Sequence, residues 1–371
     1  MIIITTQCFK PKIGGIEALM TGMAEAMSKV GKEVIVLADG KKDNIDKDEL
    51  YQIVRFSGWK PLRRKRKARF IRRLIQSKNI EKIYADSWKS IELLNGVNIK
   101  TVVLAHGTEI PKSYLKASFK ITYNYKRNRI VKSYKNSHRI VANSHYTKDL
   151  MMASLKVKSN KIKVIHPGVD IYNEFILAND RENVKKILKD SSPIVTTLAR
   201  VEKRKGHKFI INAIKSLKSK YPNILYLIAG KGPYLEEISK YVRDLQLEKN
   251  VMFLGWISEP EKSLILQNSD LFAMTPSIVG ESVEGFGMSF IDASFHGVAL
   301  IGTNSGGIPD ALVDKKTGLL CETENQKDIT EKIEILLSDE RLRKEMGNRG
   351  KERAEEFFIW KNKVQEYLNV I

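Results

Sequence analysis

The chain has 371 residues, 42% of them apolar and 29% charged; that is an ordinary soluble balance in a chain longer than one hydrophobic core usually extends, so two domains are expected. No apolar run reaches the length of a bilayer span, Met1 to Thr6 lacks the flanks of a signal peptide, and Cys8 and Cys321 lie far apart without metal-ligand spacing. These features speak against a secreted, membrane-spanning, disulfide-framed or zinc-stapled protein, and a reducing cytoplasm is the expected home. The net charge of +21 is one-sided: residues 1–170 carry 35 Lys+Arg against 14 Asp+Glu, and residues 171–371 carry 29 of each. An anionic partner is therefore expected for the first half.

In chain order, Ile2 to Thr5, Val34 to Ala38, Lys82 to Ala85, Thr101 to Ala105 and Arg139 to Ala142 read as short buried strands, with helix-length segments such as Ile16 to Val30 between them. After a polar stretch near 173–192 the pattern restarts with strands at Ile194 to Leu198, Leu225 to Ala229, Val251 to Leu254, Leu271 to Met274 and Ala299 to Gly302. Helices are expected near Lys208 to Lys220 and Leu235 to Leu247. Such alternation predicts an α/β protein of two doubly wound, Rossmann-like domains, 1–170 and 171–350, facing each other across a cleft. A final helical segment, 351–371, carries Phe357, Phe358, Trp360 and Tyr367 and is expected to pack back on the first domain.

Ligands of such sheets bind in loops that follow strands. The most informative of these loops runs Glu284-Gly285-Phe286-Gly287-Met288-Ser289-Phe290-Ile291-Asp292. Its glycines admit close backbone approach, the helix it opens favours a phosphate, and its carboxylates suit sugar hydroxyls. Taken alone, the segment also reads as an acidic loop capping a helix.

These segments, in their order along the chain, resemble the retaining GT-B glycosyltransferases of family 4. The resemblance implies that Glu284 touches the donor sugar and that Asp292, with Gly285, Phe286 and Gly287 beside it, holds the donor nucleotide; the family's second glutamate is an aspartate here. In Leu198-Ala199-Arg200-Val201-Glu202-Lys203-Arg204-Lys205-Gly206, the cations Arg200 and Lys205 resemble the basic pair that grips the donor diphosphate, where charge grows on the leaving phosphate. Gly14 and Gly15 resemble the family's N-terminal glycine loop, and His106 its active-site histidine lining the sugar subsite. Gly230 and Lys231 resemble the loop beside the base, and Ile257 follows Gly255-Trp256 in the base pocket. Within the family, Ile13 to Glu17 and Gly280 to Gly287 look closest to bacterial phosphatidylinositol mannosyltransferases, which implies GDP-mannose and a glycolipid acceptor; UDP-glucose users share most of these motifs.

The basic excess concentrates in Lys60 to Arg73, with Arg63, Arg64, Lys65, Arg66, Lys67 and Arg69 interleaved with Leu62, Phe70 and Ile71. A second basic and aromatic stretch spans Lys112 to Arg139. Basic amphipathic segments suit an anionic leaflet, at about 1 kcal/mol per near-surface cation. They come with no nucleic-acid-binding signature, so an anionic membrane surface rather than nucleic acid is the expected partner, with a merely solubilising surface as the plain alternative.

The expected activity is a retaining hexosyltransferase on the inner face of the membrane, moving mannose or glucose from a GDP- or UDP-hexose to a lipid-linked or glycan acceptor. No metal or cofactor is expected, because the Asp-x-Asp at Asp46-Lys47-Asp48 lies in a charged first-domain loop and Arg200 with Lys205 supplies the positive charge. Rival readings are a nucleotide-sugar 2-epimerase of the same fold and a non-catalytic protein that binds membrane or nucleic acid through its basic half.

Overall fold

A computed structural model describes residues 1–47, 49–110, 120–170, 188, 192–280 and 282–371. The chain divides into two compact units, Met1–Asp170 with Phe358–Ile371, and Ile171–Phe357. Part of the second basic stretch, 111–119, lies outside the described residues, as do Asp48 and most of the polar stretch 171–191.

Unit 1 contains the strands β1 (Ile2–Thr6), β2 (Val34–Asp39), β3 (Gln52–Phe56), β4 (Lys82–Ala85), β5 (Lys100–Ala105), β6 (Arg139–Ala142) and β7 (Ile162–Val164). They form a parallel sheet of order β3-β2-β1-β4-β5-β6-β7. Strands β1, β2 and β4 are buried throughout, as expected where helices cover both faces of a parallel sheet. The helices are α1 (Gly15–Lys29), α2 (Lys60–Ser77), α3 (Trp88–Ile91), α4 (Lys120–Asn136) and α5 (His145–Leu155). Pro61 starts α2 where a missing N–H costs nothing, and the Ser144 hydroxyl caps α5 by accepting from Thr147 N at 3.1 Å.

Unit 2 repeats the plan with β8 (Ile194–Leu198), β9 (Leu225–Ala229), β10 (Val251–Gly255), β11 (Leu271–Ala273), β12 (Ala299–Thr303) and β13 (Gly318–Cys321), all parallel in the order β10-β9-β8-β11-β12-β13. Its helices are α6 (His207–Leu217), α7 (Leu235–Asp244), α8 (Glu259–Gln267), α9 (Met288–Phe295), α10 (Ile308–Ala311), α11 (Gln326–Ser338) and α12 (Glu340–Phe357). Ser258 and Glu261 form a reciprocal capping box at the start of α8.

The chain then returns to unit 1 as α13 (Trp360–Leu368). The return begins at Phe358 rather than at residue 351, because α12 continues to Phe357 within unit 2. It is held by main-chain bonds from Val169 N to Phe358 O at 2.8 Å and from Trp360 N to Val169 O at 3.2 Å. Trp360, Val364 and Tyr367 join the core of unit 1, where the Tyr84 hydroxyl donates to Tyr367 O at 2.7 Å. Gly22 and Gly168 leave the space that the Trp360 indole fills; a Cβ at either would overlap the ring.

Candidate functional site

In each sheet the strand order reverses direction between the first and fourth strands, and loops at such a point part to admit a ligand at the carboxyl ends. In unit 2 that point lies between β8 and β11. The loop after β8 carries Arg200 to Gly206, and the chain after β11 carries Met274 to Gly287. The two are stitched together: Ser277 N donates to Arg204 O at 2.9 Å, and the Thr275 hydroxyl to Gly206 O at 3.1 Å. Gly206 sits at φ 79°, and a Cβ there would run into Thr275 O, so both the backbone conformation and the close approach require glycine.

Glu284 is the centre of this junction. Its carboxylate accepts from the Lys205 ammonium and from Arg204 Nη1 at 2.8 Å, and its side chain is only 16% exposed. Burial by itself would raise the Glu284 pKa, but the charges of Lys205 and Arg204 and their hydrogen bonds outweigh it and hold the carboxyl below its ordinary value. The backbone is pinned as well, since Glu284 O accepts from Gly307 N at 2.9 Å and Gly306 leaves no room for a Cβ beside it. Gly287, at φ 95°, then turns the chain into α9.

Lys205 and Glu284 are thus brought together, whereas Arg200 is not joined to Glu284: it is 74% exposed and pairs with Glu202 at 3.1 Å. Glu202 also binds Arg204 at 3.0 Å, so a chain of alternating charge runs from Arg200 through Glu202 and Arg204 to Glu284. Asp292, on α9, pairs with Lys262 of α8 at 3.3 Å. Gly230 N donates to Gly255 O at 2.7 Å, and Lys231 O accepts from Val201 N at 3.1 Å, which ties the loops after β8, β9 and β10 together. Ile257 is partly buried against the apolar cluster that contains Leu254 and Ile265, Phe286 is buried, and so is Gly285 before it. Arg204 is the participant that sequence reasoning left without a role; its signal was a third cation directly before Lys205.

His207, the first residue of α6, is wholly buried with Nδ1 3.1 Å from the Tyr226 hydroxyl, and burial pushes its pKa down from 6.5 to about 4. The unfolded chain therefore takes up a proton below pH 6.5 that the folded chain refuses until about pH 4. The contribution is complete above pH 6.5 and shrinks as pH falls toward 4, by about 3 kcal/mol. Urea titrations at pH 7 and 4.5 are expected to show a smaller loss for His207→Asn than for the parent; equal losses would remove His207 from the account.

In unit 1, Gly14 and Gly15 open α1 after the first strand. His106 follows β5 and is 7% exposed, its Nε2 2.8 Å from Asp86 O and its main-chain N donating to the Glu109 carboxylate at 2.8 Å. Asp86, absent from the sequence-derived set, is the hub at the ends of β1 and β4. It accepts from the Thr6 hydroxyl at 3.0 Å, Gln7 N at 2.7 Å and the Ser90 hydroxyl at 2.5 Å. An aspartate directly after a buried strand, with serines one and four residues on, was the available signal.

The basic helix α2 divides in a way that corrects the sequence expectation. Lys67 is 4% exposed and bonds Asp39 at 2.7 Å and Thr6 O at 2.7 Å, while Arg63 bonds Asp39 at 2.8 Å. These two are internal ion-pair partners, because helical spacing of four places both on the face turned to Asp39. Arg64 is partly covered; Lys65, Arg66 and Arg69 are exposed, with the Arg66 guanidinium reaching Ser57 O. Asp46 is likewise a structural acid, bonded by Arg55 at 2.6 Å. Cys8 and Cys321 are free thiols, and among the described residues no helix is long and apolar enough to cross a membrane.

Two parallel-sheet units of this order, one with a cation-clasped carboxylate at its switch point, define a GT-B glycosyltransferase. The chain belongs to the group 1 glycosyltransferases: residues 179–353 match the family model "Glycosyl transferases group 1" and residues 13–172 match "Glycosyltransferase Family 4". It is 27% identical to the GDP-mannose-dependent alpha-(1-6)-phosphatidylinositol monomannoside mannosyltransferase of Mycolicibacterium smegmatis, over 98% of this chain and 96% of that one. A relative from Corynebacterium glutamicum, the GDP-mannose-dependent monoacylated alpha-(1-6)-phosphatidylinositol monomannoside mannosyltransferase, is 24% identical over 100% of this chain and 97% of its own. Among solved structures, Anabaena Alr3699/HepE in complex with UDP superposes with a TM-score of 0.79 at 16% identity, covering 99% of this chain and 98% of that one.

Proposed function

We propose that this glycosyltransferase moves a hexose, mannose in the first instance, from a nucleoside-diphosphate sugar to a lipid-linked or glycan acceptor, with retention of configuration, on the cytoplasmic face of a membrane. The observation that carries the reading is the clasp of Glu284 by Lys205 and Arg204 at the switch point of unit 2. A carboxylate held ionised there suits the hydroxyls of the donor sugar, and the cations suit the diphosphate that leaves. Arg200 is exposed enough to exchange Glu202 for a phosphate oxygen. With three cations in and around one loop, the departing charge is neutralised without a metal in this reading.

The bond from the sugar's anomeric carbon to the phosphate oxygen breaks as a bond to the acceptor oxygen forms on the same face; the acceptor proton passes to the phosphate, and the nucleoside diphosphate departs. Asp292 and the loops carrying Gly230, Lys231 and Ile257 hold the nucleoside in this scheme. Gly14, Gly15 and His106 serve the sugar and acceptor. The membrane face is drawn from Lys65, Arg66 and Arg69, with Trp59 and Leu62 beside them, 70% and 55% exposed. The names of the mycobacterial and corynebacterial relatives support GDP-mannose and a phosphatidylinositol-type acceptor.

Thermal unfolding with GDP, UDP, ADP and their hexose derivatives, with and without EDTA, tests the donor side. A ligand at one hundred times its Kd adds about 2.7 kcal/mol to stability and raises the midpoint. The expected result is a shift with GDP and GDP-mannose that EDTA leaves unchanged. No shift with any nucleotide would sink the reading, and a shift abolished by EDTA would require a metal.

A further inference from the structure

We infer that Glu202 is a built-in anion of the donor site, which competes for the cations that grip the diphosphate and so makes the site hold the nucleoside-diphosphate product less tightly than the nucleotide-sugar. This rests on the reading of the loop after β8 as the diphosphate-binding loop. Each oxygen of the Glu202 carboxylate takes a different guanidinium: Oε1 lies 3.1 Å from Arg200 Nη1, and Oε2 accepts from Arg204 Nε at 3.0 Å. A carboxylate that bridges two guanidiniums makes the contacts that two phosphate oxygens would make.

The main chain keeps Glu202 among these cations. Val201, buried beside it, is fixed from two directions: its N donates to Lys231 O at 3.1 Å, and its O accepts from Tyr234 N at 3.1 Å. Glu202 O accepts from Lys205 N at 2.9 Å, which closes the short turn that carries Lys205. The two ion pairs differ in hold. Arg204 is 16% exposed and is anchored from its other side by Glu284 at 2.8 Å, whereas Arg200 is 74% exposed. An ion pair with so exposed a partner is readily exchanged. An arriving diphosphate therefore takes Arg200 from Glu202, and Glu202 stays beside Arg204.

The carboxylate left there meets donor and product unequally. In the nucleotide-sugar the terminal phosphate is esterified. After transfer the same phosphate is free, ionises a second time near about pH 6, and carries about one more negative charge at neutral pH. Glu202 repels that added charge and re-forms its pair with Arg200 as the product leaves.

Isothermal titration of GDP and GDP-mannose into the full chain at neutral pH tests this, with UDP and UDP-glucose in their place where thermal unfolding selects uridine. Glu202→Gln, which keeps the size of the side chain and one acceptor oxygen, is expected to tighten the diphosphate by about ten-fold and the nucleotide-sugar by about three-fold. Glu202→Ser is expected to shift both in the same direction. Glu331→Gln, which removes the same charge from an exposed position on α11, is expected to leave both within about two-fold. A glutamate that only fixed the loop would give the opposite sign, because its loss would free Arg200 and Arg204 to wander. Weaker or unchanged binding of the diphosphate, an equal gain for both ligands, or the same gain in Glu331→Gln would overturn the proposal. A parent chain that binds no nucleoside diphosphate would bring down the donor reading itself, whereas a parent that binds and a variant that gains nothing would remove only the role of Glu202.

Discussion

Replacing Lys205 with alanine is expected to lower turnover by about 10³-fold, or about 4 kcal/mol of transition-state stabilisation. The ammonium sits on a short turn between β8 and α6, 8% exposed, with its position set by Glu284 and by Met274 Sδ at 3.8 Å. A cation so confined would not reorganise as charge develops on a leaving phosphate, which is why a single preorganised group is expected to carry so much of the barrier. Arg204 keeps Glu284 paired in the variant, so the fold survives while the chemistry does not. The check is steady-state transfer with the nucleotide-sugar identified by thermal shift. A loss below ten-fold would remove Lys205 from the leaving-group role.

Glu284→Gln is expected to cost about 10²-fold to 10³-fold in turnover, while nucleotide affinity stays within a few-fold. Glutamine keeps the size and most of the hydrogen bonding, so what is tested is the negative charge. Without it, Lys205 and Arg204 remain, and their hold on a diphosphate is undiminished. The contact with the sugar weakens, and the intact donor should then bind no better than the nucleoside diphosphate alone. The two effects should also be coupled: because Lys205 and Glu284 bond directly, the double variant is expected to fall well short of the product of the single losses. Wild-type turnover in Glu284→Gln would place the sugar contact elsewhere. The depressed pKa fixes the pH window, since the carboxylate stays charged down to below its ordinary range and its pairing weakens only as pH falls through that lowered value.

Much of the scaffold was legible in the chain. Buried runs such as Ile194–Leu198 and Arg139–Ala142 announce parallel strands because both faces must be apolar. The strands that escaped notice are β3, whose exposed edge dilutes the apolar pattern, β7, which has three residues with Lys163 at its centre, and β13, which opens on a glycine. Gly206 and Gly287, which the sequence placed in strand-to-helix loops, take the positive φ that such turns demand.

The site was legible only in its outline. The residue types, a glutamate in a glycine turn and cations after a strand, are chemical properties of the sequence and needed no coordinates. Their partners were another matter. That Glu284 takes Lys205 and Arg204 while Arg200 takes Glu202, and that Lys67 and Arg63 serve Asp39, are facts of side-chain direction and of strand order across a sheet. So too is the return of Phe358–Ile371 to unit 1, where Trp360 fills the space left by two glycines that lie far from it in the chain. The sequence by itself determined the alternation of strand and helix and the imbalance of charge, because these depend on composition and local period, while the class of chemistry came from the resemblance of its motifs to a known family. Only the tertiary structure decided which charges neutralise one another, because pairing depends on distances between residues that local pattern does not constrain.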